Sequence, residues 1–129
     1  MIPRPQANGL ILCDYAVVEE QSRKPTLAGL FGRFRLQAFP SLCPPFVVFA
    51  SLMDGLGQGF LELTVTHLAS DEEVHRIEAT IQFPNRFAEV GSIFRINDCY
   101  LPEPGYYLFS LYIGNEIITE RRIEATLRG

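Results

Sequence analysis

His67 and His75 are the two residues whose types and spacing come closest to a metal-binding pattern. They flank the acidic run at 71–73, and a β-hairpin pairing residue 65 with residue 77 would place the two rings opposite each other. Two imidazoles and one carboxylate can bind Zn²⁺. The alternative is a solvated hairpin end at which the histidines close the inner face. Because the pattern lacks a third fixed ligand, we expect no metal and no other cofactor, and we assign no catalytic, cofactor-binding or metal-binding residue.

Cys13 and Asp14 are a second candidate, since they adjoin each other on a mostly apolar segment. A carboxylate beside a thiol changes the reactivity of the thiol. A nucleophilic thiol also needs a positioned base, and neither histidine is near it in sequence. We therefore expect Asp14 to bond a neighbouring turn or to pair with an arginine, and we expect the chain not to be an enzyme.

The chain has three cysteines, Cys13, Cys43 and Cys99, and no two are close enough in sequence for a C-x-x-C motif. Free cysteine is among the most buried residue types, so we expect buried thiols in a reducing compartment. A bridge between Cys13 and Cys99 is the alternative that the sequence leaves open.

Six arginines could form a basic surface that binds phosphates or an acidic partner. They are Arg33, Arg35, Arg86, Arg95, Arg121 and Arg122. The alternative is that they are solvated or paired with glutamates on neighbouring strands. The chain carries a formal net charge of -4, whereas nucleic-acid-binding domains are usually basic. We therefore expect no nucleic-acid partner.

Alternating apolar and polar residues predict strands along the chain, and no window shows a sustained helical period with caps. About eight strands are predicted, over residues 10–18, 26–39, 46–53, 60–68, 74–83, 92–101, 106–113 and 117–127. Joined by Gly- and Pro-rich turns, they predict an all-β fold, an immunoglobulin-like antiparallel β-sandwich of about 7–9 strands. A barrel is the alternative. A single domain is expected over residues 1–129, with residues 1–8 as a Pro-rich arm.

Two finer expectations concern the middle strands. Gly29 and Gly32 predict a bulge or a close backbone approach within the strand at 26–39. The unbroken apolar run at 46–53 predicts either a central strand buried on both faces or a subunit contact.

The last hairpin turns at Gly114-Asn115, a two-residue hairpin signal. Side chains alternate along a strand, so Tyr107, Phe109 and Leu111 are expected to face the core. The other face then carries Tyr106, Leu108 and Tyr112. That face is too apolar to be simply solvated, so it is covered by the N-terminal arm or a partner, or it binds a ligand.

Three segments resemble a known family. They are Leu12-Cys13-Asp14, Thr26-Leu27-Ala28-Gly29 and the Pro104-Gly105-Tyr106-Tyr107 start of the last hairpin. Over nearly its whole length the chain is similar to an uncharacterised bacterial family of small all-β proteins, a domain of unknown function. The resemblance implies an immunoglobulin-like sandwich and a bacterial cytoplasmic setting, and it carries over no catalytic residue.

The N-terminus lacks a basic region followed by a long apolar run, so no secretory signal is expected. The longest apolar run, at 44–50, is too short to span a bilayer. These features predict a soluble cytoplasmic protein without a membrane partner.

Two functions from different classes remain. The first is a non-catalytic protein-interaction or structural module that binds a protein partner or forms a homodimer, through the strand at 46–53 or an exposed sheet edge. The alternative is a small-ligand or carbohydrate-binding domain that uses the loops at 54–59 and 85–91, at one end of the sandwich. An enzyme ranks third, because the acid–base pairs that catalysis needs are missing from the pattern.

Overall fold

The computed structural model describes residues 5–128, and within that range the chain forms eleven β-strands and no helix. The strands are β1 (Gln6–Val18), β2 (Pro25–Phe31), β3 (Arg33–Leu36), β4 (Ser41–Leu42), β5 (Phe46–Met53), β6 (Gly57–His67), β7 (Glu72–Phe83), β8 (Val90–Ile96), β9 (Tyr100–Leu101), β10 (Gly105–Ile113) and β11 (Glu116–Leu127). β1 begins within the predicted arm, whose residues 1–4 lie outside the described residues.

Nine of these strands build two sheets that enclose one main core. The four-stranded sheet has the order β2-β1-β5-β8 and the five-stranded sheet the order β3-β11-β10-β6-β7, while β4 and β9 form a separate pair. The pairings are antiparallel apart from that of β3 with β11, which is parallel. The predicted all-β sandwich is confirmed, and its two packed sheets fit the immunoglobulin-like arrangement.

The core is organised around phenylalanine rings from three strands. The ring centroids of Phe34 and Phe46 are 5.1 Å apart and those of Phe46 and Phe109 are 6.2 Å apart, both edge to face. Edge-to-face pairs at 4.5–7 Å add about 0.5–1.5 kcal/mol to the free energy gained from burying the rings. Because Phe46 belongs to the four-stranded sheet and the other two to the five-stranded sheet, these contacts join the two layers.

The segment predicted as one strand over 26–39 forms two strands, because the chain crosses between the sheets at Gly32. A Cβ atom at Gly32 would lie 3.2 Å from Nη2 of Arg121. Arg121 faces inward between the sheets, since it pairs with the buried Phe109, and its Nη1 donates to the carbonyl oxygen of Leu10 at 3.0 Å. The parity of the buried residues changes at this crossing, since Leu27 and Phe31 pack against buried residues before Gly32, whereas Phe34 and Leu36 are buried after it.

The β1–β2 hairpin turns over the outer surface of the four-stranded sheet. Ala16 packs in one cluster with Cys13 and Val47, although Ala16 and Cys13 would lie on opposite faces of a straight strand. The chain bends at Gly29, whose φ is +73°, and a Cβ atom there would overlap the carboxylate of Asp14. Gly29 is therefore the close backbone approach that the sequence predicts.

The strand β5 lies centrally, between β1 and β8. Val48, Ala50 and Leu52 are fully buried in the main core, and Val47 on the other face is buried under the β1–β2 hairpin. The predicted central strand is therefore confirmed.

The hairpin of β6 and β7 forms as predicted, but its register differs by two residues, because Leu63 pairs with Ile77 and not with residue 79. Side chains alternate with a period of two, so a two-residue shift leaves every side chain on its predicted face. The pattern could therefore assign the faces but not the register.

In β10 the predicted inward residues Tyr107, Phe109 and Leu111 are all completely buried. We expect Leu111→Ala to lower the free energy of unfolding by ~2–5 kcal/mol, because it removes core contacts and leaves a cavity. Leu108→Ala is the matched control, since Leu108 lies half-buried on the opposite face of the same strand. Urea unfolding measures both; equal losses in the two variants would contradict the assignment of faces.

Candidate functional site

The structure does not bring His67 and His75 opposite each other. His75 pairs with Val65, and His67 pairs with Glu72, because the register shifts between Val65 and Thr66. The expected juxtaposition of the two rings is therefore wrong, and the cause is the combination of the two-residue offset and this irregularity.

His67 lies inside the end of the sandwich and is only 2% exposed. Its ring stacks on that of Tyr107 at 4.8 Å between centroids, and its Nδ1 lies 3.0 Å from Oγ of Ser70. Nε2 is buried and has no hydrogen-bond partner among the described residues. The phenol of Tyr107 donates to the carbonyl oxygen of Glu103, and burial is the main cause that raises its pKa.

The other members of the predicted metal cluster point elsewhere. Nε2 of His75 lies 4.0 Å from Oδ1 of the exposed Asp98. Glu73 accepts two hydrogen bonds from the guanidinium of Arg76, at 2.7 and 3.0 Å, and these bonds lower the pKa of Glu73. Within residues 5–128, no three His, Cys, Asp or Glu side chains come together as a metal site requires.

Cys13 is fully buried on the outer face of the four-stranded sheet. Burial raises the pKa of its thiol, and the nearby charge of Asp14 raises it further. Because the thiolate is the nucleophile, a raised pKa lowers the reactivity of Cys13. The carboxylate of Asp14 lies in close contact with the backbone at Gly29, whereas the sequence predicts a turn or an arginine as its partner.

The cysteine that approaches Cys99 is Cys43, not Cys13. The backbone N–H of Cys43 donates to the carbonyl oxygen of Cys99 at 2.8 Å, and both side chains are buried in the main core. Cys13 belongs to the separate cluster on the outer side of the four-stranded sheet. The alternative bridge between Cys13 and Cys99 is therefore wrong, because the sheet lies between them. No sequence motif marks the observed pair, since 43 and 99 are far apart in the chain.

The six arginines do not form one surface. Arg121 faces inward, and Arg95 donates to the carbonyl oxygen of Ala16 at 3.3 Å. Of the other four, Arg33 and Arg35 lie on β3, where Arg33 pairs with Glu124 at 3.6 Å, while Arg122 lies over the ring of Tyr106 and Arg86 over the ring of Phe87. The alternative of separately paired side chains describes them better than a phosphate-binding patch.

A groove of about 530 Å³ lies on the outer face of the five-stranded sheet, and we call it the β6–β7 groove. Its side chains include Phe60, Glu62, Glu78, Thr80, Tyr112 and Asn115. Phe60 is 64% exposed. On the neighbouring strands Tyr112 lies opposite Glu62, and Glu62 lies opposite Glu78. An exposed ring beside carboxylate, hydroxyl and amide groups provides both a stacking surface and hydrogen-bond acceptors.

The loops at 54–59 and 85–91 come together at the same end of the sandwich, as expected. They join strands whose ends are adjacent: Leu52 pairs with Val90, and Gly57 pairs with Phe83. The turn at Gly114 also lies at this end, because its N–H donates to the carbonyl oxygen of Phe60 at 3.3 Å. The β6–β7 groove opens beside this end.

A second outer surface is apolar, and we call it the β1–β2 face. It consists of Ile11, Tyr15, Val17 and Leu30, which are 38%, 59%, 55% and 65% exposed. All four belong to the β1–β2 hairpin, in which Leu30 pairs with Cys13 and Tyr15 pairs with Ala28. The sequence pattern does not reveal this face, because β1 carries apolar residues at both odd and even positions.

A family model for a family of unknown function, DUF6941, matches residues 8–126. The chain belongs to the DUF6941 family. This agrees with the resemblance to a domain of unknown function and covers almost the entire sandwich. No curated protein matches the chain. DUF6941 membership supplies no activity, so function has to be argued from the surfaces described above.

No helix that could cross a membrane occurs in residues 5–128.

We expect His67→Ala to lower the free energy of unfolding by ~2–4 kcal/mol, because it removes a buried ring stacked on Tyr107. Ser70→Ala removes only the hydrogen bond to Nδ1 and should cost ~0.5–1.5 kcal/mol. Thermal unfolding with and without Zn²⁺ measures both effects. If Zn²⁺ raised the melting temperature of the parent but not that of His67→Ala, the structural role assigned to His67 would be refuted.

Proposed function

We propose that this chain is a non-catalytic protein-interaction module that forms a homodimer through the β1–β2 face. The observation that carries the proposal is that four large apolar side chains, Ile11, Tyr15, Val17 and Leu30, are exposed on one hairpin. Exposed large apolar side chains are ordinary when scattered, but a contiguous group of them is typical of a contact surface.

Two of the sheet edges, β2 and β7, are poorer contact surfaces than the β1–β2 face. The edge strand β2 begins with Pro25 and bends at Gly29, and both features oppose pairing with a further strand. The edge strand β7 exposes several charged side chains, namely Glu72, Glu73, Arg76 and Glu78. Charged residues protect edges in the same way. We propose this face in place of the predicted contact through β5, because β5 is a central strand flanked by β1 and β8.

A second copy of this chain suits the face better than a partner with charges of one sign. The turn beside the face carries Glu19 and Glu20 together with Arg23 and Lys24, all exposed. A two-fold contact places the acidic part of one turn against the basic part of the other. A partner of uniform charge would match only half of this rim. Because only four large side chains are involved, we expect a weak dimer that depends on concentration.

The proposed setting is a bacterial cytoplasm. Support comes from the three cysteines, which are all free thiols, as proteins of reducing compartments usually have. A role without catalysis agrees with the separation of His67 from His75 and with the raised pKa of Cys13.

The test is Leu30→Glu, which places a charge at the centre of the proposed contact. Sedimentation velocity over a concentration series should show a dimer for the parent and a monomer for Leu30→Glu. Leu56→Glu is the matched control, since Leu56 is 63% exposed but lies in the loop between β5 and β6, and it should still dimerise. A parent that stays monomeric at millimolar concentration, or a control that dissociates equally, would exclude this contact.

A second candidate function is carbohydrate binding in the β6–β7 groove. It is favoured by Phe60, whose exposed ring could stack on a sugar, and by Glu62 and Glu78, whose carboxylates could accept bonds from sugar hydroxyls. Glu62 also pairs with Arg76, so Glu78 is the less engaged carboxylate.

Saturation-transfer NMR with glucose, galactose and N-acetylglucosamine tests this candidate. Binding is expected for the parent and should fall at least tenfold in Phe60→Ala, because the stacking surface is lost. Phe87→Ala controls for a general loss of apolar surface, since Phe87 is 86% exposed in the loop between β7 and β8. An unaltered signal in Phe60→Ala would eliminate the groove as the binding site.

A further inference from the structure

Cys43 and Cys99 face each other across a short ladder at one end of the sandwich. β4 and β9 pair Ser41 with Leu101 and Leu42 with Tyr100. The next pair in the same antiparallel register is Cys43 with Cys99, and the N–H of Cys43 donates to the carbonyl oxygen of Cys99 at 2.8 Å. The ladder therefore continues for one pair beyond the two strands.

The geometry of this pair suits a disulfide. Hydrogen-bonded partners in an antiparallel ladder have Cα atoms about 5.5 Å apart, which is close to the commonest separation in disulfides. Directly opposed side chains lie on the same side of a ladder, so the side chains of Cys43 and Cys99 face the same buried space in the main core. The sulfur atoms can therefore bond with little movement of the backbone.

Both thiols are buried, with Cys43 4% and Cys99 1% exposed. The hydrogen bond from one thiol to the other and burial hold the pKa of Cys99 well above its usual range. Because the thiolate is the reactive form, reaction requires the ladder to open. β4 and β9 have two residues each, and such a short ladder opens locally at lower free energy than the core strands.

We propose that Cys43 and Cys99 are a redox modification site, which a low-molecular-weight disulfide oxidises to an intramolecular disulfide. The thiolate of one cysteine attacks the small disulfide, so that a mixed disulfide forms and one small thiolate leaves. The thiolate of the other cysteine then attacks the protein sulfur of the mixed disulfide, which releases the second small thiolate. The two cysteines lose two electrons, the small disulfide gains two, and the cysteine protons end on the two leaving thiols.

The new bond would clamp the end of the sandwich that holds His67. Glu103 follows β9 closely and accepts the phenol hydrogen bond of Tyr107, the ring on which His67 stacks. The bond also closes the loop from 43 to 99, which spans β5 to β8. Closing a long loop restricts the unfolded chain and so stabilises the folded state. Oxidation thus tightens this end without involving the β1–β2 face.

The test equilibrates the native full chain with mixtures of reduced and oxidised glutathione. Samples are quenched with acid, denatured and alkylated, and the number of alkylated thiols is measured by mass spectrometry. Oxidation should lower the number of free thiols from three to one, link the peptides containing Cys43 and Cys99, and raise the melting temperature reversibly. A parent that keeps three free thiols, or that links Cys13 instead, would overturn the proposal.

Cys13→Ser is the matched control, and it should still lose two thiols on oxidation with the same rise in melting temperature. Cys43→Ala and Cys99→Ala should lose the rise, and neither should form an intramolecular bond. Alanine keeps these core positions apolar; if one variant does not fold, the other and the peptide map of the parent still decide the outcome. An intramolecular bond in either variant would contradict the assignment.

Discussion

The crossing of the chain at Gly32 is the constraint on which both layers of the sandwich depend. It takes the chain from β2, at the edge of the four-stranded sheet, to β3, which lies parallel to β11 in the five-stranded sheet. The transfer brings the ring of Phe34 against Phe46 and Phe109, so the aromatic centre of the core exists only because of it. The guanidinium of Arg121 lies close against Gly32, and it donates to the backbone of β1 at Leu10. The same few residues therefore connect the two sheets covalently, by packing and by a charge-assisted hydrogen bond.

The residues that could have carried chemistry have structural roles instead. His67 is a stacked core residue at the closed end of the sandwich, and Cys13 is covered by the β1–β2 hairpin. The pairs formed by Glu73 with Arg76 and by Arg33 with Glu124 are largely solvent-exposed, so each contributes little to stability.

Because membership of the DUF6941 family supplies no activity, the proposals for function depend on the outer faces of the sandwich. One face is apolar and lies on a hairpin that turns over the sheet, while the other is polar with an aromatic groove. The predicted second face of β10 falls on the groove side. There Tyr106 is half-exposed beneath Arg122, while Leu108 and Tyr112 are only half-buried. Ring contacts with arginine explain how a face that reads as too apolar in sequence can meet solvent.

The sequence by itself determined the class of fold, the order of the main strands and the side of β10 that faces the core. Alternation with a period of two carries that information locally, so Leu63, Phe109 and Leu111 could be assigned without knowing their neighbours. Register, sheet membership and long-range pairing were decided only by the tertiary structure. A two-residue slip preserves the alternation, the segment at 26–39 reads as one strand although the chain changes sheet at Gly32, and nothing in the sequence relates Cys43 to Cys99. These features depend on which strands pack together, and that choice is made by the whole core rather than by any one segment.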